Sequence, residues 1–220
     1  MSYPDFINWS EHLEEIGAVV KMRASKVLQL DKLKQPRGLL YLEKVYLAGN
    51  LEHEDFTYAQ GWRDYFKEQT KDLGLICLSP LDKIFINYEK EGKDLQVRLK
   101  QKLVDGDFLS VCETMRHVRS RDLACADIAL FLVVVLNPKV PTFGTVDEII
   151  TSKRANRPVF LVIPDLGFRG IPLWLASYFR PEWVYKCLDD VIIQLRKIDA
   201  GEVELNSKYW RILAPEFKQL

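Results

Sequence analysis

The chain has 220 residues, long enough to bury roughly 70% of its unfolded surface with no help from disulfides or metal. Its 48% apolar and 28% charged residues are ordinary for a globular protein. Lys plus Arg is 31 and Asp plus Glu is 31, a balance that excludes a protein built to grip a nucleic-acid polymer through its phosphates.

Residues 1–40 read as a helical N-terminal extension, because Trp9, Leu13, Ile16 and Val20 recur at helical spacing. Gln35-Pro36-Arg37-Gly38 stops it. No basic stretch precedes an apolar run at the start, so no secretory leader is expected. From residue 41 to about 200 the pattern alternates between strand and helix. Strands are predicted over 39–47, 75–78, 128–136, 158–163 and 184–187. Helices are predicted over 58–73, 146–155, 171–179 and 188–198, the first ended by Gly74. A further helix is expected to close near 123–125, and residues 201–220 form a mixed, aromatic tail. The run IALFLVVVL at 128–136 is uninterrupted and β-branched, as in a central parallel strand covered on both faces. At nine residues it is half the length of a membrane span. The segment 82–112 is long and charged and reads as a solvated, partly helical insertion. The fold class that follows is α/β: a five-stranded, parallel, doubly wound sheet of flavodoxin-like or Rossmann-like type.

Cys77, Cys112, Cys125 and Cys187 are scattered and form no CxxC pair, and His12, His53 and His117 do not sit at ligand spacing. Free thiols in a reducing cytoplasm are expected, with no metal.

Ligands of open α/β sheets bind beyond the carboxyl ends of the strands. That rule selects the loops at 48–53, 79–82, 137–145 and 164–167. In the third loop Gly144-Thr145 lead into a helix predicted to carry Asp147 and Glu148 in its first turn. Acidic residues there are favoured by the helix dipole, by about 0.3–1 kcal/mol. A glutamate at a sheet mouth is equally suited to act as a carboxylate nucleophile. Asp127, in the apolar stretch before the central strand, reads either as a residue closing the preceding helix or as a functional acid.

Taken together, Val45-Tyr46-Leu47-Ala48-Gly49, Gly61-Trp62-Arg63, Leu78-Ser79-Pro80, the stretch from Asp122 to Asp127, Phe143-Gly144-Thr145-Val146-Asp147-Glu148 and 157–165 resemble the nucleoside 2-deoxyribosyltransferases and related nucleotide N-glycosidases. The resemblance covers about residues 44–190. It implies that Glu148 is the nucleophile that attacks the anomeric carbon of a 2-deoxyribosyl group. It implies that Tyr46 holds that carboxylate and that Asp127 assists protonation of the leaving base. Gly49, Asn50, Arg63, Thr142, Gly144, Thr145 and Trp174 are the implied substrate-binding positions. Two of these depart from the family: Thr142 stands where the transferases have an aspartate, and Trp174 where they have a small polar residue. The expected activity is cleavage or transfer of the deoxyribosyl group of a deoxynucleoside or its monophosphate, with no cofactor. The expected assembly is a homo-oligomer, because family sites are completed by a neighbouring subunit. The alternatives are a catalytically drifted nucleotide sensor of the same fold, and an interaction protein using the extension and Tyr209, Trp210 and Phe217.

Overall fold

The computed structural model describes residues 38–52, 54–82 and 92–213. The predicted N-terminal extension up to residue 37, the last residues of the tail and part of the 82–112 segment lie outside them.

Five strands form one sheet: β1 (Lys44–Gly49), β2 (Ile76–Leu78), β3 (Phe131–Val135), β4 (Val159–Val162) and β5 (Val184–Tyr185). Their order is β2-β1-β3-β4-β5 and every pairing is parallel. This is the doubly wound, flavodoxin-like arrangement that the alternating sequence pattern predicts. β1 and β3 share five paired residues, from Val45 opposite Phe131 to Gly49 opposite Val135.

Strand periodicity splits the core into two layers. Val45 and Leu47 of β1 join Phe131, Val133 and Val135 of β3 on one face, under α1 (Phe56–Gln69) and α6 (Leu188–Asp199). Tyr46 and Ala48 join Leu132 and Val134 on the other. That second face lies under α3 (Phe108–Ile128), α4 (Phe143–Arg154) and α5 (Leu173–Ala176). Burial on both faces explains why β3 and β4 read as unbroken apolar runs.

Local chemistry sets the element ends. The Asp55 carboxylate accepts from the Tyr58 N–H at 2.9 Å and starts α1, and Asp107 does the same for α3 through Ser110. Gly74 takes a left-handed conformation (φ 66°) where the helix sequence ends. An added Cβ there would sit 2.6 Å from the Tyr41 ring.

Several boundaries move from their sequence expectations. Residues 39–42 are a turn, not strand, because their backbone serves the end of α6: Leu39 N–H donates to Asp199 O and Leu40 N–H to Asp199 Oδ1. The predicted strand at 128 begins at Phe131, since α3 runs on to Ile128. The helix predicted from Val146 begins three residues earlier, at Phe143.

The 82–112 segment contributes α2 (Lys93–Val104) and the start of α3. Lys93, Asp94, Arg98 and Lys100 of α2 are exposed. Leu95 and Leu99, four residues apart, are buried.

Candidate active site

The sheet order reverses between β1 and β3, and there the loops after the two strands diverge and leave a crevice. Asn50 ties the two loops together. Its Nδ2 donates to Asn137 O (3.3 Å) and Val140 O (3.2 Å), and its Oδ1 accepts from the Asn137 N–H at 2.8 Å. Asn50 therefore shapes the rim and is not among the residues lining the cavity.

A cavity of about 600 Å³ opens beside this point. Of the site residues that the resemblance implies, Gly49, Thr142, Gly144, Thr145 and Glu148 line it. Gly49 is required by close approach: a Cβ there would lie 2.6 Å from Val135 O and 3.1 Å from the Trp62 ring.

Tyr46 is fully buried on the α3/α4 face of β1. Its hydroxyl donates to Glu148 Oε1 at 2.7 Å, across 102 residues of sequence. Glu148 lies on the second turn of α4, because the helix starts at Phe143, and no acidic residue occupies the first turn. The dipole account of Asp147 and Glu148 is thereby weakened, since that effect fades within one turn. What orients Glu148 is the tyrosine. Asp147, next to it, pairs instead with Arg119 at 2.8 Å.

Of the four carboxylates lining the cavity, Glu148 and Asp122 are buried, whereas Asp147 is half-buried and Glu52 exposed. Arg121 donates to Asp122 at 3.3 Å and also to Pro80 O at 3.3 Å. Both buried carboxylates act on one neighbour. The Cys125 thiol is pushed above its ordinary pKa first by burial, then by the charge of Asp122, with Glu148 adding and Arg121 opposing.

Asp127 is not brought to the cavity. It sits one residue before the end of α3, at the amino ends of the strands, whereas the cavity is at their carboxyl ends. Arg157, buried just before β4, donates to Asp127 Oδ1 at 2.9 Å and to Asp127 O at 2.6 Å. Five residues along a helix is a rotation of about 140°, which turns Asp127 away from the face that Asp122 shares with Ala126. The structure therefore places Asp127 outside the cavity, where it closes a helix, and Asp122 on the cavity wall with Glu148.

Arg63 and Trp174 are likewise absent from the lining. Arg63 is fully buried, and three of its nitrogens donate to Leu47 O, Ala59 O and Gly49 O. Its guanidinium stacks 4.4 Å from the Trp62 ring. Trp174, on the four-residue α5, is 75% exposed.

No protein-family model matches the chain, and no curated protein matches it. Among solved structures, the chain is similar to a conserved protein from Enterococcus faecalis V583, at 16% identity and a TM-score of 0.37 over 72% of this chain and 88% of that one.

Among the described residues, no group of three His, Cys, Asp or Glu side chains is arranged to hold a metal ion. No described helix is long and apolar enough to cross a membrane. Sequence reasoning missed Asp122 and the apolar wall that α2 supplies. The signal for Asp122 was its i, i+4 relation to Ala126, a small residue that helix packing buries. The signal for α2 was the four-residue spacing of Leu95, Leu99 and Leu103 inside an otherwise charged segment.

Proposed function

We propose that this chain is an N-glycosyl-bond enzyme that cleaves or transfers the 2-deoxyribosyl group of a deoxynucleoside or deoxynucleoside monophosphate. One observation carries the reading. A buried tyrosine hydroxyl holds a glutamate at 2.7 Å at the mouth of a parallel sheet, and a second buried carboxylate, Asp122, lines the same cavity. Two carboxylates in unlike surroundings suit a displacement at an anomeric carbon with oxocarbenium character.

In this reading a Glu148 oxygen forms an ester bond to C1′ as the C1′–N bond breaks. The bonding pair leaves with the base nitrogen, which takes its proton from the acid form of Asp122. Water or a second base then attacks C1′ and returns a proton to Asp122, and Glu148 departs as carboxylate. Tyr46 holds Glu148 Oε1 and so helps to position the carboxylate at the cavity wall. Thr145, buried beside them, and Thr142 at the helix start supply hydroxyls for the sugar or base.

The four free cysteines fit a cytoplasmic enzyme. Exposed Leu173 and Trp174 offer an apolar surface for a homo-oligomer.

The test is to incubate the full chain with a panel of deoxynucleosides and their monophosphates, with and without an acceptor base. Free base or exchanged nucleoside is expected, and Glu148→Ala is expected to abolish it. Release that survives this substitution would overturn the mechanism. Thr142, uncharged where the resembled transferases have an aspartate, favours a second reading, a sensor that binds nucleotide. Binding without turnover in the same panel would select it.

A further inference from the structure

The cavity holds more than a sugar and a base need. Its volume of about 600 Å³ falls among pockets that take drug-sized ligands, roughly 300–1,000 Å³. Its buried polar side chains are Glu148, Asp122 and Thr145. The α2 and α3 walls are mainly apolar, with Gln96, Lys100 and Arg119 among them. Leu95, Leu99 and Leu103 follow at four-residue spacing along α2, a stripe about 12 Å long at the rise of a helix. Val111, Met115 and Val118 of α3 also line the cavity. With Asp122 they repeat at i, i+4, i+7 and i+11, so the acid and this second stripe share one helix face.

On α2, Leu95 and Leu99 are buried and Leu103 is 48% exposed; on α3, Val118 and Val111 are half-buried and Met115 between them is 44% exposed. The cationic lining residues are Lys100, exposed, and Arg119, which Asp147 already engages.

Geometry then fixes which part of a substrate meets the apolar walls. On the glycosyl-transfer reading, on which this inference rests, the leaving base takes its proton from Asp122. The base must therefore lie against α3, with the Val111–Met115–Val118 stripe continuing beyond it. An unsubstituted base leaves that stripe and its α2 counterpart uncovered. We propose that the pocket takes a nucleoside or nucleotide whose base carries an apolar substituent, lodged between the α2 and α3 stripes. The unbranched, polarizable Met115 in the middle of the α3 stripe lets the slot adapt to groups of different shape.

The test uses 2′-deoxyadenosine and N6-benzyl-2′-deoxyadenosine, each with and without a 5′-phosphate. Dissociation constants are measured by isothermal titration on the full-length Glu148→Ala protein, and base release is followed separately with the unaltered protein. The benzyl compound is expected to bind at least about tenfold tighter within one of the two series. Leu99→Asn should bring that ratio toward one. Leu103→Gln, at a half-exposed position that tolerates a polar group, should lower it in the same direction if Leu99→Asn fails to fold. Equal or weaker binding of the benzyl compound, or binding of neither compound, would overturn the proposal. Tighter binding with no base release from either compound would leave the apolar slot standing and remove the bond-cleaving reading instead.

Discussion

The Tyr46 hydroxyl is the residue-scale feature on which the site turns. Removing it leaves the sheet packing of the ring in place but takes away the 2.7 Å hydrogen bond to Glu148. Tyr46→Phe is expected to lower turnover by about 10²-fold, the usual penalty for a misplaced reacting group, with little change in melting temperature. The two aspartates separate just as sharply. On the glycosyl-transfer reading, Asp122→Asn removes the proposed proton donor and should cut turnover severely for poor leaving groups. Asp127→Asn should leave turnover within twofold and destabilise the fold by about 1 kcal/mol, because it weakens an ion pair that is buried on one side only. Steady-state kinetics and urea unfolding on the two variants check this contrast. Cys77 supplies a pH signature of the fold. Burial beside β1 pushes its thiol up to about 11, with Asp82 adding and Lys67 opposing. A group that prefers its protonated form when folded stabilises fully below its unfolded pKa, near 9. That contribution is lost as pH rises towards 11. Iodoacetamide should therefore label Cys77 slowly at pH 8, and denaturant stability should fall between pH 9 and 11.

At the scale of elements, the sheet was legible because its strands are covered on both faces. Phe131–Val135 and Val159–Val162 have no polar residue to place, so their sequences could only be interior strands. Boundaries were less legible, since they depend on distant partners. The turn at 39–42 answers to Asp199, 159 residues away from Leu40, and no local pattern encodes that. The Tyr46 and Glu148 pair was reached through family resemblance and is joined by a hydrogen bond in the structure. The family resemblance points to Asp127; Asp122 lies on the same helix five residues earlier, and the helix rotation separates the two. Arg63 looked like a ligand cation, yet it is a strap between elements. From α1 it reaches the carbonyls of Leu47 and Gly49 on β1 and so holds the helix to the strand that carries Tyr46. Arg63→Met keeps the volume but leaves these carbonyls without its donors. It should cost about 2 kcal/mol, read as a lower urea midpoint at unchanged slope.

On the scale of the whole molecule, the cavity and the exposed apolar residues raise one question together. The loop after β4 leads to α5, where Leu173 is 93% and Trp174 75% exposed, and Phe143 at the start of α4 is 88% exposed. All three follow the carboxyl ends of strands, the same edge on which the cavity opens. Side chains of this size gain roughly 1.5–3 kcal/mol each when buried, so leaving three in water at one edge favours association there. A two-fold contact would satisfy them with a single self-complementary patch. The expected outcome is a dimer or larger assembly by light scattering at micromolar concentration. Trp174→Lys should shift it toward monomer while the far-UV spectrum is unchanged. If Trp174 also borders a neighbour's substrate site, as the resemblance implies for its position, the monomeric variant should show a raised KM. An altered mass with unaltered KM would confine Trp174 to assembly, and an unaltered mass would remove α5 from the interface.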